Sequence, residues 1–178
     1  MKNLFITTVI VSLFLVSCGS GAKDKLDKIL NAETSETALK YNDDLIAIQT
    51  EVDNSIVELL DVIDTYDPQA MEDSRLETLE KIDKAIEEVK DMRDFDGNDD
   101  FKNAMMDLLK MYKDIVTNEL TDIIDLVGYS EEMTDEDWET YSGLYDKALE
   151  KYDAAFAEFD SYQEKFADKW DFKINKDN

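Results

Sequence analysis

From residue 35 onward, apolar side chains recur at alternating steps of three and four, the spacing that lines one face of an α-helix and that the period of two in a strand does not produce. The first such segment runs from Ser35, which reads as its N-cap, to Tyr66. Its stripe is Ala38, Tyr41, Leu45, Ile48, Val52, Ser55, Leu59, Val62 and Tyr66, widened by Ile56, Leu60 and Ile63. Asp67-Pro68 then closes this helix and opens the next, because Asp caps free N–H groups and Pro is tolerated at the first helical position. The second helix carries Met71, Leu76, Leu79, Ile82, Ile86 and Val89 on one face and ends near Phe95. Gly97, within Asp96-Gly97-Asn98-Asp99, suits a helix-to-helix turn. A third helix follows with Phe101, Met105, Leu108, Tyr112, Ile115, Leu120, Ile123 and Val127, and stops at Gly128. Thr134 with Asp137 resembles a capping box for the fourth, which bears Trp138, Tyr141, Tyr145, Ala148, Tyr152, Ala155, Phe159, Tyr162 and Phe166. Trp170 and Phe172 close the end of the core.

Helices of this size are roughly 42 to 50 Å long, and short connections make each run antiparallel to the one before. Four stripes meeting in a single core predict an all-α, up-down-up-down antiparallel four-helix bundle, monomeric, over 35–172, with 173–178 as a tail. Two internal matches bear on its origin. Leu79-Glu80-Lys81-Ile82-Asp83 aligns with Leu149-Glu150-Lys151-Tyr152-Asp153, and Glu58-Leu59-Leu60-Asp61 with Glu119-Leu120-Thr121-Asp122. A duplicated helical hairpin and a shared acidic helical composition both account for these matches.

Composition narrows the chemistry. The 178 residues include 44 acidic and 19 basic side chains, one Cys and no His, for a net charge of −25. A disulfide framework needs paired cysteines, and zinc, haem and di-iron sites draw on His or Cys, so no cofactor and no metal site is expected. Nucleic-acid phosphates would be repelled. Carboxylates are so abundant that no pair stands out as a general acid and base, and no nucleophile motif or Gly-rich phosphate loop is present, so no enzyme activity and no catalytic residue is expected. Asp94-Phe95-Asp96-Gly97-Asn98-Asp99-Asp100 superficially suggests a calcium loop. Its Gly arrives two places early, and Met105 stands where a bidentate Glu belongs, so the helix-to-helix turn is the better reading. Glu131-Glu132-Met133-Thr134-Asp135-Glu136-Asp137 likewise reads as an acidic helix N-terminus. The aromatics of the fourth helix fit the core, but a Tyr hydroxyl seeks water or a partner. Tyr141 and Tyr145 are therefore the candidate contacts for a partner or ligand.

The amino terminus is of another kind. Lys2 precedes an uncharged, mostly apolar run from Leu4 to Val16, too short for a transmembrane helix and fitting a secretory signal at 1–17. The run ends in Leu15-Val16-Ser17-Cys18-Gly19, which resembles the lipobox of bacterial lipoproteins. That resemblance implies cleavage before Cys18, acylation of its thiol and new amine, and a lipid-anchored body behind a tether at 18–34. Cleavage removes one cation, Lys2, and no acid, so the body is one charge more negative than the precursor. Gly19 stands where inner-membrane retention uses Asp, which implies the outer membrane, with the side that the body faces left open.

Tyr41-Asn42-Asp43-Asp44-Leu45-Ile46-Ala47-Ile48-Gln49 is loosely similar to the opening helix of small all-helical surface lipoproteins of unassigned function from Bacteroidota and spirochaetes. Taken together, the expectation is a non-enzymatic, membrane-tethered binding or interaction module of the cell envelope, whose acidic surface favours a cationic protein or glycan. The competing expectation is a binder of a small apolar ligand or a metal cation within or at the end of the bundle.

Overall fold

The computed structural model describes residues 33–128 and 132–174; the signal segment, Cys18 and most of the tether lie outside them, as do 129–131 and 175–178. Among the described residues five α-helices follow one another: α1 (Ser35–Ile63), α2 (Pro68–Asp91), α3 (Asp100–Thr117), α4 (Glu119–Gly128) and α5 (Asp135–Trp170). They form the expected all-α bundle of four antiparallel rods, with α3 and α4 together making the third rod.

Most helix ends follow the local chemistry. The first N-cap is Thr34 rather than Ser35, because Thr34 and Thr37 close a reciprocal capping box that Ser35 has no partner to make. Asp67 Oδ1 accepts from Gln69 and Ala70 N–H ahead of Pro68, and Thr134 and Asp137 close the second capping box. α1 stops at Ile63, three residues before Tyr66, whose φ of 56° takes the chain out of the helix. α2 also stops early, at Asp91. Phe95 and Asn98 then exchange backbone hydrogen bonds of 3.1 and 3.0 Å across Asp96 and Gly97, at φ 54° and 69°. Both central residues are left-handed, as in a primed tight turn, which Gly adopts without strain.

The break at Asn118 is a departure from the continuous third helix of the sequence reading. Asn118 Nδ2 donates to the Asp114 carbonyl at 3.0 Å and to Asp114 Oδ1 at 2.7 Å, while Thr121 Oγ1 donates to the Val116 carbonyl at 3.0 Å. The Asp114 carbonyl keeps its backbone bond from Asn118 N–H at 2.9 Å and accepts the Asn118 side chain as well, while the Val116 carbonyl takes the Thr121 hydroxyl, and the helix is interrupted at Asn118.

The core joins all four rods. Leu45, Val52, Leu59 and Ile63 of α1 meet Met71, Ile82 and Val89 of α2. Met105, Leu108, Leu109 and Tyr112 of α3, Ile123 and Val127 of α4, and Ala148 and Phe159 of α5 complete it. One end is closed by rings: Phe95 lies 5.1 Å from Tyr41 and from Trp170, and Phe101 stacks on Phe166 at 4.8 Å. Two buried polar pairs set the register. Ser55 Oγ donates to Thr78 Oγ1 at 3.1 Å between α1 and α2, and Gln163 Nε2 donates to Asn42 Oδ1 at 2.9 Å between α5 and α1. Thr78 also changes the reading of α2. The buried face runs through Met71, Thr78, Ile82, Ala85 and Val89, which leaves Leu76, expected inside, 51% exposed.

The internal matches have a counterpart in space. The alignment equates Glu58 with Glu119 and Lys81 with Lys151, and each Glu–Lys pair is an ion pair between the corresponding rods, at 3.5 Å between α1 and α2 and at 2.8 Å between α4 and α5. The two pairs are buried differently, with the Glu58 side chain 70% exposed and that of Glu119 1%.

Leu59→Ala, at a site with no solvent exposure, is expected to lower the unfolding free energy by about 2–5 kcal/mol, the range for deleting a buried leucine side chain. Leu76→Ala should stay within about 0.5 kcal/mol of the parent, as exposed substitutions do. Urea denaturation followed by circular dichroism compares the two.

Candidate functional site

The four rods are not packed equally tightly around the core. At the ring-closed end α5 lies against α1, with Gln163 on Asn42 and Phe166 5.9 Å from Tyr41. Toward the other end the seam between α1 and α5 opens into a groove of about 250 Å³. Asp53, Ile56, Val57 and Leu60 form one wall, Tyr145, Leu149 and Tyr152 the other, and Tyr112, Ile115 and Leu120 the floor.

Val57, Tyr145 and Leu149 bring exposed apolar surface to this groove. Eight large apolar side chains are substantially exposed among the described residues. Four of them, Trp138, Tyr145, Leu149 and Phe156, are spaced seven, four and seven apart on α5 and so share one face of that helix. Val57 stands on the opposite wall at 55% exposure, and Tyr66 lies past the end of α1, close enough to raise the pKa of Tyr141. The reading of the other fourth-helix aromatics as core is corrected at Trp138 and Phe156, which are 45% and 38% exposed. Between Asp135 and Glu158 Ala148 is the one buried residue, with Tyr141, Leu144, Tyr152 and Ala155 partly buried against the core.

Of the two tyrosines singled out from sequence, Tyr145 lines the groove and is 37% exposed. Tyr141 is half-buried one turn away, with its ring 5.7 Å from that of Trp138. Burial pushes the Tyr141 phenol up, with help from Asp64, Tyr66 and Tyr145. The spacing of four residues puts both on one side of α5, but only Tyr145 opens onto the groove.

Asp53 is not singled out by the sequence reading, and Tyr112, buried as its place on the third stripe predicts, also floors the groove. Partial burial raises the Asp53 carboxyl, against the opposing pull of Tyr112 and Gln49. Tyr112 is fully buried, its ring stacked on Tyr152 at 5.5 Å and 5°. Burial drives its phenol upward, and the charge of Asp53 and the neighbouring Tyr152 add to that. Its hydroxyl faces these groups without a hydrogen bond of good geometry. A signal for Asp53 is present in the sequence: α1 and its following turn contain no Lys or Arg from Tyr41 to Tyr66, while Asp43, Asp44, Glu51, Asp53, Glu58, Asp61 and Asp64 are all acidic.

The cations of α5 nearest the groove are committed elsewhere. Lys147 and Lys151 both approach Glu119 at 2.8 Å, and Lys151 also reaches Asp114. Burial opposes ionisation of Glu119, but the two ammonium groups outweigh it and hold the carboxyl below its ordinary 4.5. Glu119 thereby ties the α3–α4 break to α5 on the side away from α1. No group of three or more His, Cys, Asp or Glu among the described residues is arranged to hold a metal ion. In the Asp94–Asp100 turn, Lys102 pairs with Asp94 and Lys169 with Asp96, and Asn98 bonds Asp100. No helix among the described residues is long and apolar enough to cross a membrane. Comparison with protein-family models, curated proteins and solved structures finds no match to this chain.

Asp53 and Glu119 predict opposite effects of removing a charge. The depressed Glu119 value means that its contribution is complete at neutral pH and disappears as pH falls through that value. Glu119→Gln should therefore cost about 1–3 kcal/mol at pH 7, with the gap closing below pH 4.5. Asp53 is raised, so its charge costs stability at neutral pH and protonation relieves the cost. Asp53→Asn should raise the thermal midpoint at pH 7 and lose that advantage in acid. Calorimetric scans from pH 7 to pH 3 check both signs.

Proposed function

We propose that this protein is a membrane-tethered, non-enzymatic binding module of the cell envelope that engages a cationic protein or glycan. The observation that carries this reading is the α1/α5 groove, an exposed apolar surface with the Asp53 carboxylate in its wall. Surfaces of this kind mark interaction sites, and a cation approaching one is drawn in by the field of the whole chain. Tethering rests on the resemblance of Leu15-Val16-Ser17-Cys18-Gly19 to a lipobox. Several acyl chains on Cys18 would hold the body at a membrane far more firmly than one. Gly19 favours the outer membrane, and the tether at 18–34 would let the groove reach partners beside it.

A second reading is favoured by the groove floor. A space of about 250 Å³ with the Tyr112 hydroxyl and the Asp53 carboxyl at its edge suits a small, mostly apolar ligand bearing one polar group. Native mass spectrometry of the purified protein separates the two: a co-purifying small molecule favours the ligand, and a bare chain favours the macromolecular partner.

Two outcomes are expected. Cys18→Ser should move the protein from the membrane fraction to the aqueous one, and retention in the membrane would contradict lipid anchoring. Binding to an immobilised cationic protein should weaken at least tenfold between 50 mM and 500 mM salt, as screening of exposed charges requires. An unchanged affinity would remove the electrostatic basis of the reading.

A further inference from the structure

The groove has a length, a spacing and a charge that specify its occupant more narrowly than "a cationic partner". Trp138 and Phe156 are eighteen residues apart, so the exposed row on α5 extends about 27 Å at 1.5 Å per residue. That is the length of a five-turn helix. The row repeats at seven, four and seven residues, the period at which one helix presents side chains to another lying alongside it. Val57 supplies an apolar contact from the facing wall, so a rod laid in the seam would touch both α1 and α5.

The rims are acidic. Asp53, Asp61 and Asp64 stand four before, four after and seven after Val57 and so share its side of α1; Asp146 and Asp153 stand three before and four after Leu149 on α5. Neither wall offers a counter-charge. α1 has no cation in this region, and Lys147 and Lys151 are held by Glu119. A second copy of this chain would bring carboxylates against carboxylates, and an anionic bilayer would be repelled by the same rims.

We infer that the α1/α5 groove is the docking site for a cationic amphipathic helix of a partner protein, apolar at heptad-like spacing and flanked by Lys or Arg. This rests on the reading of the chain as a binder of cationic partners and adds where the partner sits and in what conformation. The apolar face of that helix covers Tyr145, Leu149, Phe156 and Val57, and its basic flanks meet the five aspartates. It completes the bundle as a fifth rod, by the helix-in-groove mode of recognition.

The test uses the purified full chain and two synthetic 20-residue Leu/Lys peptides of identical composition, one with Leu at helical spacing and one scrambled so that no apolar face forms. Calorimetry should show the patterned peptide binding one to one and at least tenfold tighter than the scrambled one, with a gain of helix by circular dichroism. Leu149→Lys and Val57→Lys, at sites 45% and 55% exposed, should each weaken it at least tenfold. Leu76→Lys makes the same charge change at a leucine 51% exposed on α2 and should alter affinity less than threefold. Equal binding of the two peptides, or equal loss in Leu76→Lys, overturns the groove while leaving a cationic partner in place. Absence of binding by both peptides at low salt overturns both. Binding to lipid vesicles that Leu149→Lys abolishes, without peptide binding, would make the groove a membrane face instead.

Discussion

The seam between α1 and α5 depends on where the few cations are. A chain with net charge −25 repels itself, and its rods stay together by burying apolar stripes and by spending scarce ammonium and guanidinium groups between neighbouring helices. Lys81 joins α2 to Glu58 of α1, Lys113 joins α3 to Asp83 of α2, and Lys147 and Lys151 join α5 to Glu119. Around Val57 and Leu149 neither wall has a cation left to give. Asp53 stands there in the wall of an apolar groove with no cation opposite it.

The openness is local because packing wins at the other end. Tyr41, Phe95, Phe101, Phe166 and Trp170 form a ring cluster where α1 and α5 do meet, and the Asn42–Gln163 bond fixes their register. Aromatic contacts of this kind contribute about 0.5–1.5 kcal/mol each beyond their buried area, which offsets exposed charge repulsion screened by salt. From there toward Tyr66 Ala148 is the buried residue of α5, Tyr141 and Tyr152 are partly buried against the core, and Trp138, Tyr145, Leu149 and Phe156 are exposed. One helix thus serves the core with its second half and offers a surface with its first.

The architecture was legible because it is written in local signals. Asp67-Pro68 and Thr134 with Asp137 act through hydrogen bonds within a single turn, so spacing alone located those helix starts. The bend at Asn118 was not legible, since its cause is a competition between side-chain and backbone donors for particular carbonyls. Leu76 was misplaced for a different reason. An apolar stripe was traced through the bulkiest residues, whereas the buried face passes through Thr78, whose hydroxyl is satisfied by Ser55. The groove was half visible. Tyr145 was identified from the needs of its hydroxyl, but Asp53 was one carboxylate among many until α1 was placed opposite α5.

Whether the open end of the seam is an acidic aromatic groove can be read from its own fluorophore. In Trp170→Phe, Trp138 is the sole remaining tryptophan and stands 45% exposed at the end of the row. Quenching by caesium and by iodide measures access and local charge together. The account predicts strong quenching by caesium and weak quenching by iodide at low salt, with the difference shrinking as salt rises. Equal quenching by the two ions, or protection from both, would contradict it.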